Sequence, residues 1–257
     1  MKFLLILVSF TQYSFANQIH TGFISSPEGA LKVEYEIKDN VPIMEGDIEI
    51  DPKETENELT IQGAGKWLWF RKWPNRTIPY VIDPNMPNKW RIEWAVKHIM
   101  ANTKIKMIPR DRHRDYVYFK YNGKDGGCNS FIGRRWGKQY IRVPDWCSKG
   151  SIVHEILHAI GLRHEQTRWD RNNYVKIHWN NIKKGQQHNF RRLFFYTRSY
   201  TEFDFDSIML YGPYSFANDV SKPTITRRDG TLYPVNREGM SELDKITVAK
   251  MYRYNID

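Results

Sequence analysis

Eleven residues, His154-Glu-Ile-Leu-His-Ala-Ile-Gly-Leu-Arg-His164, leave the backbone around them little freedom. At 3.6 residues per turn, a helix through them projects His154 and His158 from one face a turn apart, close enough to hold one cation. A continued helix could not bring His164 to that face. Gly161, free to adopt positive φ, can end the helix and turn His164 back toward the metal. Neutral imidazoles suit zinc, and a catalytic zinc takes three protein ligands and leaves one position for water. Glu155 is therefore better placed as the base than as a ligand. HExxH alone also occurs by chance on ordinary helices. With 16 Gly and 8 His in 257 residues, requiring Gly161 and His164 as well lowers the chance rate about 500-fold. His20, His98, His113, His178 and His188 lack such company and read as surface or packing residues.

The start of the chain reads as a secretory signal over 1–16: Lys2, an apolar run from Phe3 to Val8, then Ser14-Phe-Ala16. That run is too short to span a bilayer, and no later segment approaches about 20 apolar residues. The expected product is secreted and extracellular, with no membrane partner. Asn75-Arg-Thr77 is the sole N-x-S/T sequon and a candidate glycosylation site. Cys128 and Cys147 are the only cysteines. In an oxidising compartment they should form a disulfide worth about 3 kcal/mol by loop-closure entropy.

Charge divides the chain. Residues 1–63 hold eleven acidic side chains against four lysines, a net of −7, so the remainder carries +17 of the overall +10. Such asymmetry suggests an acidic segment lying on a basic domain. Apolar patterning predicts strands over 78–82, 116–121 and 140–143 and a helix over 90–100. The active-site helix should start near 149–151, and a last helix should open with Ser241-Glu-Leu-Asp244 and run to about 253. Past Gly161 regular patterning fades. The expectation is an α+β fold of two halves, about 64–161 and 162–257, with zinc in the cleft between them. The nine Trp read as packing residues, and no nucleic-acid motif is visible.

Downstream, Ser207-Ile-Met-Leu-Tyr211 resembles the methionine turn of the metzincins. Glu165-Gln-Thr-Arg-Trp-Asp-Arg171 and Tyr174 narrow the resemblance to the astacin family, and it runs from about Asp47 to Tyr254 through Ile78-Pro-Tyr80. It implies a metzincin-like (zincin) catalytic domain, with a twisted mixed β-sheet and the active-site helix in its N-terminal half and an irregular C-terminal half ending in a helix. It also implies that Met209 forms an apolar floor under the zinc, and that Tyr211 is an extra ligand that swings away to hydrogen-bond the tetrahedral intermediate. Met44-Glu-Gly-Asp-Ile48 resembles the family's propeptide motif, in which the aspartate, here Asp47, binds zinc in the latent enzyme. Gly46 would let the backbone approach closely, and Met44 stands where the family usually has Phe. No cysteine precedes Cys128, which excludes a thiolate latency switch.

The family pattern then divides the chain into a signal peptide (1–16), an inhibitory propeptide (17–63) and a catalytic domain (64–257). An activating protease would cut around 62–65, freeing an amino terminus near Ala64 that pairs through water with Glu165. Cys128–Cys147 resembles the shorter family disulfide. The longer one is missing, with Lys104 and Tyr254 at its positions, so the last helix is expected to be held by packing alone and the domain to be less thermostable. The expected function is that of a secreted zinc endopeptidase acting as a monomer on proteins or peptides, with acidic segments the class a basic surface suits. The competing reading is a catalytically silent secreted zinc-containing binding protein.

Overall fold

The computed structural model describes residues 18–26, 29–51, 72–192 and 199–255. The expected signal segment and the cleavage region around 62–65 lie outside the described residues.

Among the described residues the main sheet has nine strands, eight of them β1 (His20–Ser26), β2 (Gly29–Lys38), β3 (Val41–Met44), β5 (Thr77–Ile82), β6 (Lys106–Pro109), β7 (Tyr116–Tyr121), β8 (Asn129–Phe131) and β9 (Lys138–Val143), and all of these but β8 alternate or cluster apolar and β-branched residues. The ninth is the short β4 (Ile48–Glu49). Their order is β1-β2-β3-β4-β8-β9-β7-β5-β6. Strands β6, β5, β7 and β9 run parallel, and β8 is antiparallel to β9. The acidic segment contributes β1 to β4 and joins this sheet through a parallel pairing of β4 with β8, Ile48 opposite Ser130 and Glu49 opposite Phe131. The contact foreseen from charge is thus a shared sheet. It is laced by ion pairs: Glu34–Arg191 (2.7 Å), Glu45–Arg163 (3.4 Å), Glu49–Arg142 (3.2 Å) and Asp51–Arg135 (3.1 Å).

Helix α1 (Trp90–Asn102) buries Ile92, Ala95, Val96 and Ile99, an i, i+3, i+4, i+7 stripe facing the sheet core. Helix α2 (Lys149–Ile160) starts where the Ser148 side chain accepts from the Ser151 amide, and residues 152–160 are buried on every side. Helix α3 (Glu242–Tyr252) has the capping box its sequence suggested, Ser241 and Asp244 each bonding the other's backbone amide. Between α2 and α3 the chain is mostly short 3-10 turns and a two-stranded ribbon of β10 (Val175–Ile177) with β11 (Ile225–Arg227). These pack on a second cluster that includes Phe190, Phe203, Leu210 and Tyr211.

The Cys128–Cys147 disulfide is present and ties the β8 region to the loop before α2. The expectation that packing alone holds the last helix is corrected. Asp244 accepts from Ser207 Oγ and the Ile208 amide, at 2.6 and 3.1 Å, and Tyr252 donates its hydroxyl to the Ile160 carbonyl at 2.9 Å. At the positions of the absent family bridge, Lys104 Nζ lies 6.0 Å from the Tyr254 ring and Arg76 lies 5.6 Å from it. Cation–π contacts stand where the covalent link would be.

Candidate metal centre

Helix α2 carries His154, Glu155 and His158 into the interior and ends at Gly161, whose φ of 127° lets its amide cap the Leu157 and His158 carbonyls. The chain turns there and brings His164 back beside the other two imidazoles. Nδ1 of His154 lies 2.8 Å from the Ile208 carbonyl, and Nδ1 of His158 lies 2.8 Å from the Leu162 carbonyl. A carbonyl only accepts, so each Nδ1 carries the proton and each Nε2 presents a lone pair. His164 is oriented differently, its Nδ1 lying 3.0 Å from Oε2 of Glu45.

The Nε2 atoms converge on Asp47. His154 and His158 reach its carboxylate at 3.4 and 3.6 Å, and His164 reaches it at 3.2 Å. One ligand atom from each of these four residues lies within 4.8 Å of the others, and His158 Nε2 and Asp47 Oδ1 have no hydrogen-bond partner. His154 and His164 bring their Nε2 atoms to 3.2 Å of each other. Lone pairs facing one another beside a carboxylate fit a cation, and three imidazoles with one carboxylate fit zinc. The pKa shifts separate the imidazoles. Burial lowers His154 to about 4. Burial opposes the charging of His164 too, but Asp47 and Glu45 outweigh it and carry it up to about 9. For Asp47, burial acts upward, yet the His164 charge and the close approach of the three imidazoles hold the carboxyl well below its usual range.

Glu155 is 3% exposed and its Oε2 has no partner. Burial, reinforced by the charge of Asp47, pushes its carboxyl well above the ordinary value. Such a group is suited to taking a proton from a reacting water. Tyr211 packs its ring 4.9 Å from that of His164 and donates its hydroxyl to the Glu45 carbonyl. Burial, with Asp47 and Glu45, holds the phenol well above its usual value, so it remains a donor. Gly46 at φ 79° is what permits this approach: an added Cβ would meet Phe216 Cζ at 2.7 Å and Tyr211 Oη at 2.9 Å.

Met209 is buried, its amide on Ser207 Oγ (3.0 Å) and its carbonyl accepting from the Glu165 amide (3.1 Å). Since Ser207 also bonds Asp244, the methionine turn is tied to the cap of α3. Glu165 itself is held by Arg168 at 3.2 Å and by the Asp204 amide at 3.4 Å, and burial pushes its carboxyl up to about 8 against the pull of Arg168. Its expected partner near Ala64 lies outside the described residues. Asn75 is exposed on a turn and sits apart from the centre.

Sequence reasoning missed two residues. Glu45 touches His164, Arg163 and Tyr211, and its only signal was its place beside Gly46-Asp47. Arg237 donates to the Ile208 carbonyl at 3.1 Å, the same oxygen that orients His154, and its charge bears on Asp47, Glu155 and Tyr211. Nothing local marks it, because its neighbours in the centre lie far away along the chain.

Comparison with known proteins agrees with this geometry. The family model described as Astacin, a family of peptidases, matches residues 68–253. The chain is 33% identical over 218 residues to zinc metalloproteinase nas-4 of Caenorhabditis elegans, covering 81% of this chain and 68% of that protein. It is 33% identical over 240 residues to astacin-like metalloprotease toxin 1 of Loxosceles intermedia, covering 91% and 86% respectively. Several other curated relatives are longer, and the chain spans 28% to 45% of their length. Among solved structures, high choriolytic enzyme 1, a hatching enzyme zinc-protease from Oryzias latipes, superposes with a TM-score of 0.66 at 31% identity, covering 72% of this chain and 94% of that one. A zinc-fitting triad of imidazoles with a buried carboxyl near it, a shared fold and a family match over most of the chain converge: this protein belongs to the astacin family, and it is a zinc metalloendopeptidase.

Proposed function

We propose that the chain is a secreted endopeptidase held latent by its own residues 17–63, with Asp47 as the plug. The observation that carries this reading is the Asp47 carboxylate standing 3.2 to 3.6 Å from the Nε2 atoms of His154, His158 and His164. A substrate carbonyl and a water need that same place. In this reading His154, His158 and His164 hold zinc, which when bound supplies a Lewis acid that polarises the scissile carbonyl and eases deprotonation of water.

The chain's own groups do the rest. Glu155 takes the proton from the attacking water and delivers it to the departing amine. The Tyr211 hydroxyl, released from the Glu45 carbonyl, donates to the oxygen that gains charge in the transition state. Met209 closes the floor with apolar surface. Cleavage around 62–65 by a separate protease would detach β1 to β4, and Glu165 would receive the new amino terminus. Once Glu45 has left, Arg163 and Arg237 add positive charge near the centre, so acidic peptide segments are the substrate class we assign. The Cys128–Cys147 disulfide supports an oxidising, extracellular setting. Among the described residues no helix is long and apolar enough to cross a membrane. We assign a monomer, and a glycan at the exposed Asn75.

The test is casein hydrolysis by the cleaved chain with and without a chelator, beside Glu155→Ala with its zinc content measured. Chelation should abolish hydrolysis, and the alanine variant should keep zinc while losing at least about 100-fold in rate. Equal hydrolysis by both proteins, or a wild type inactive with zinc bound, contradicts the reading.

A further inference from the structure

Away from the metal centre, a groove of about 570 Å³ opens between the turn at 171–173, the β10–β11 ribbon and the turn at Trp179. Among the described residues its lining includes Arg171, Lys176, Arg192 and Arg228 and no acidic side chain. Two of these cations are held in place by neutral acceptors. Arg171, 3% exposed, donates Nε to Asn172 Oδ1 at 2.9 Å and another nitrogen to the Gln166 carbonyl. Arg228 donates to the Asn172 carbonyl at 2.6 Å. Carbonyls fix a guanidinium without neutralising it. Arg192 is steered toward the same groove by a hydrogen bond to the Trp169 carbonyl at 3.2 Å. Buried Arg142 and Arg168 meet carboxylates instead, whereas buried Arg91 in α1 is held by carbonyls. Burial, with a smaller contribution from the neighbouring Arg192, lowers Arg171 to about 10.

A tetrahedral oxyanion is what several pre-oriented guanidiniums recognise. Trp179, 44% exposed, adds an aromatic face at the groove, and Val175 and Ile177 add apolar wall. An indole face beside an oxyanion site suits the ring of a sugar, whose C–H bonds can lie flat on it, better than a flexible acidic side chain. The volume falls within the range of about 300–1,000 Å³ common to small-ligand sites. We propose that this groove binds a sulfated sugar unit of an extracellular polysaccharide, its sulfate on Arg171, Arg192 and Arg228 and its ring on Trp179. One tryptophan would then be a ligand platform, against the reading of all nine as packing.

The test uses calorimetric titration of the full chain at about 150 mM salt, where diffuse electrostatics are screened beyond about 8 Å. The probes are a sulfated heparin-type octasaccharide, its desulfated form, inorganic sulfate and oligoglutamate. The octasaccharide should bind at least about tenfold more tightly than the other three. Lys176→Ala with Arg228→Ala should weaken it about tenfold or more, whereas Arg112→Ala with Lys124→Ala, removing the same charge from exposed sites outside the groove, should change it less than about twofold. Trp179→Ala should weaken the octasaccharide and leave inorganic sulfate unaffected. Circular dichroism verifies that each variant is folded. Absence of octasaccharide binding, equal loss in the two charge pairs, or oligoglutamate binding as tightly as the octasaccharide overturns the proposal.

Discussion

Oε2 of Glu45 lies 3.0 Å from Nδ1 of His164, so the orientation of one histidine of the centre depends on a residue outside the family-matched span of 68–253. His154 and His158 take their orienting acceptors, the carbonyls of Ile208 and Leu162, from within that span. The same Glu45 also occupies Tyr211 through its carbonyl. On the proposed latency, two consequences of cleavage would therefore be coupled: the plug would leave, and His164 and Tyr211 would both be released.

Loss of an outer partner of a metal-binding histidine typically costs 10–100-fold in affinity. In the intact chain, Glu45→Gln should therefore release zinc to a competing chelator about tenfold or more readily than wild type. After propeptide removal the two proteins are identical and should not differ, which makes the cleaved form an internal control.

Gly46→Ala should loosen the plug without touching any ligand. Its Cβ would collide with Phe216 and Tyr211, and φ of 79° is strained for alanine. A cost of about 1–3 kcal/mol is expected from strain and overpacking. Peptidase activity of the uncleaved chain, assayed with a fluorogenic peptide, should rise above the wild-type background. An equally silent variant would argue that the segment seats independently of this approach.

The cation–π contacts at Lys104 and Tyr254 are worth about 0.5–1 kcal/mol, against about 2–4 kcal/mol for a typical disulfide. Lys104→Cys with Tyr254→Cys should therefore close a bridge and raise Tm by about 2–8 °C in oxidised protein. Reduction should reverse the gain.

His98 stacks on Trp94 with ring centroids 5.0 Å apart, and its Nε2 accepts from the Met240 amide at 3.1 Å, linking α1 to the approach of α3. Burial, then Lys245 and Lys149, lower its pKa in the folded protein. The unfolded chain thus binds the proton more tightly, and stability falls as pH drops from about 6.5 through the lowered value. The ring is only partly shielded and solvent screens its charge, so the loss should stay under about 1 kcal/mol. Melting curves between about pH 7.5 and 5 should show this decline, and His98→Gln should flatten it.

The parts of the fold and site legible in the sequence are those written in local spacing. The turn of helix between His154 and His158, the break at Gly161, the helix α1 itself and the Ser241–Asp244 cap all appear where spacing placed them, whereas the buried stripe of α1 runs through Ile92, Ala95, Val96 and Ile99 and leaves Trp90 and Met100 exposed. The strands of the acidic segment were read only as charge. In β2, Glu34 and Glu36 alternate with Val33 and Tyr35, but Glu36 is itself fully buried against Lys38 and Gln186. A buried carboxylate in a strand imitates a solvated face until its partners are known. Strands as short as β4 and β8 carry too few residues for a period. Glu45 and Arg237 owe their positions to tertiary contacts that no spacing rule encodes.

The central claim, that Asp47 closes a competent centre, is tested most directly by Asp47→Ala in the intact chain. The measurement is peptide hydrolysis before any cleavage, with electrophoresis confirming that residues 17–63 remain attached. The expected result is chelator-sensitive hydrolysis by the variant and none by wild type. An intact, zinc-loaded Asp47→Ala chain as silent as wild type would contradict the account.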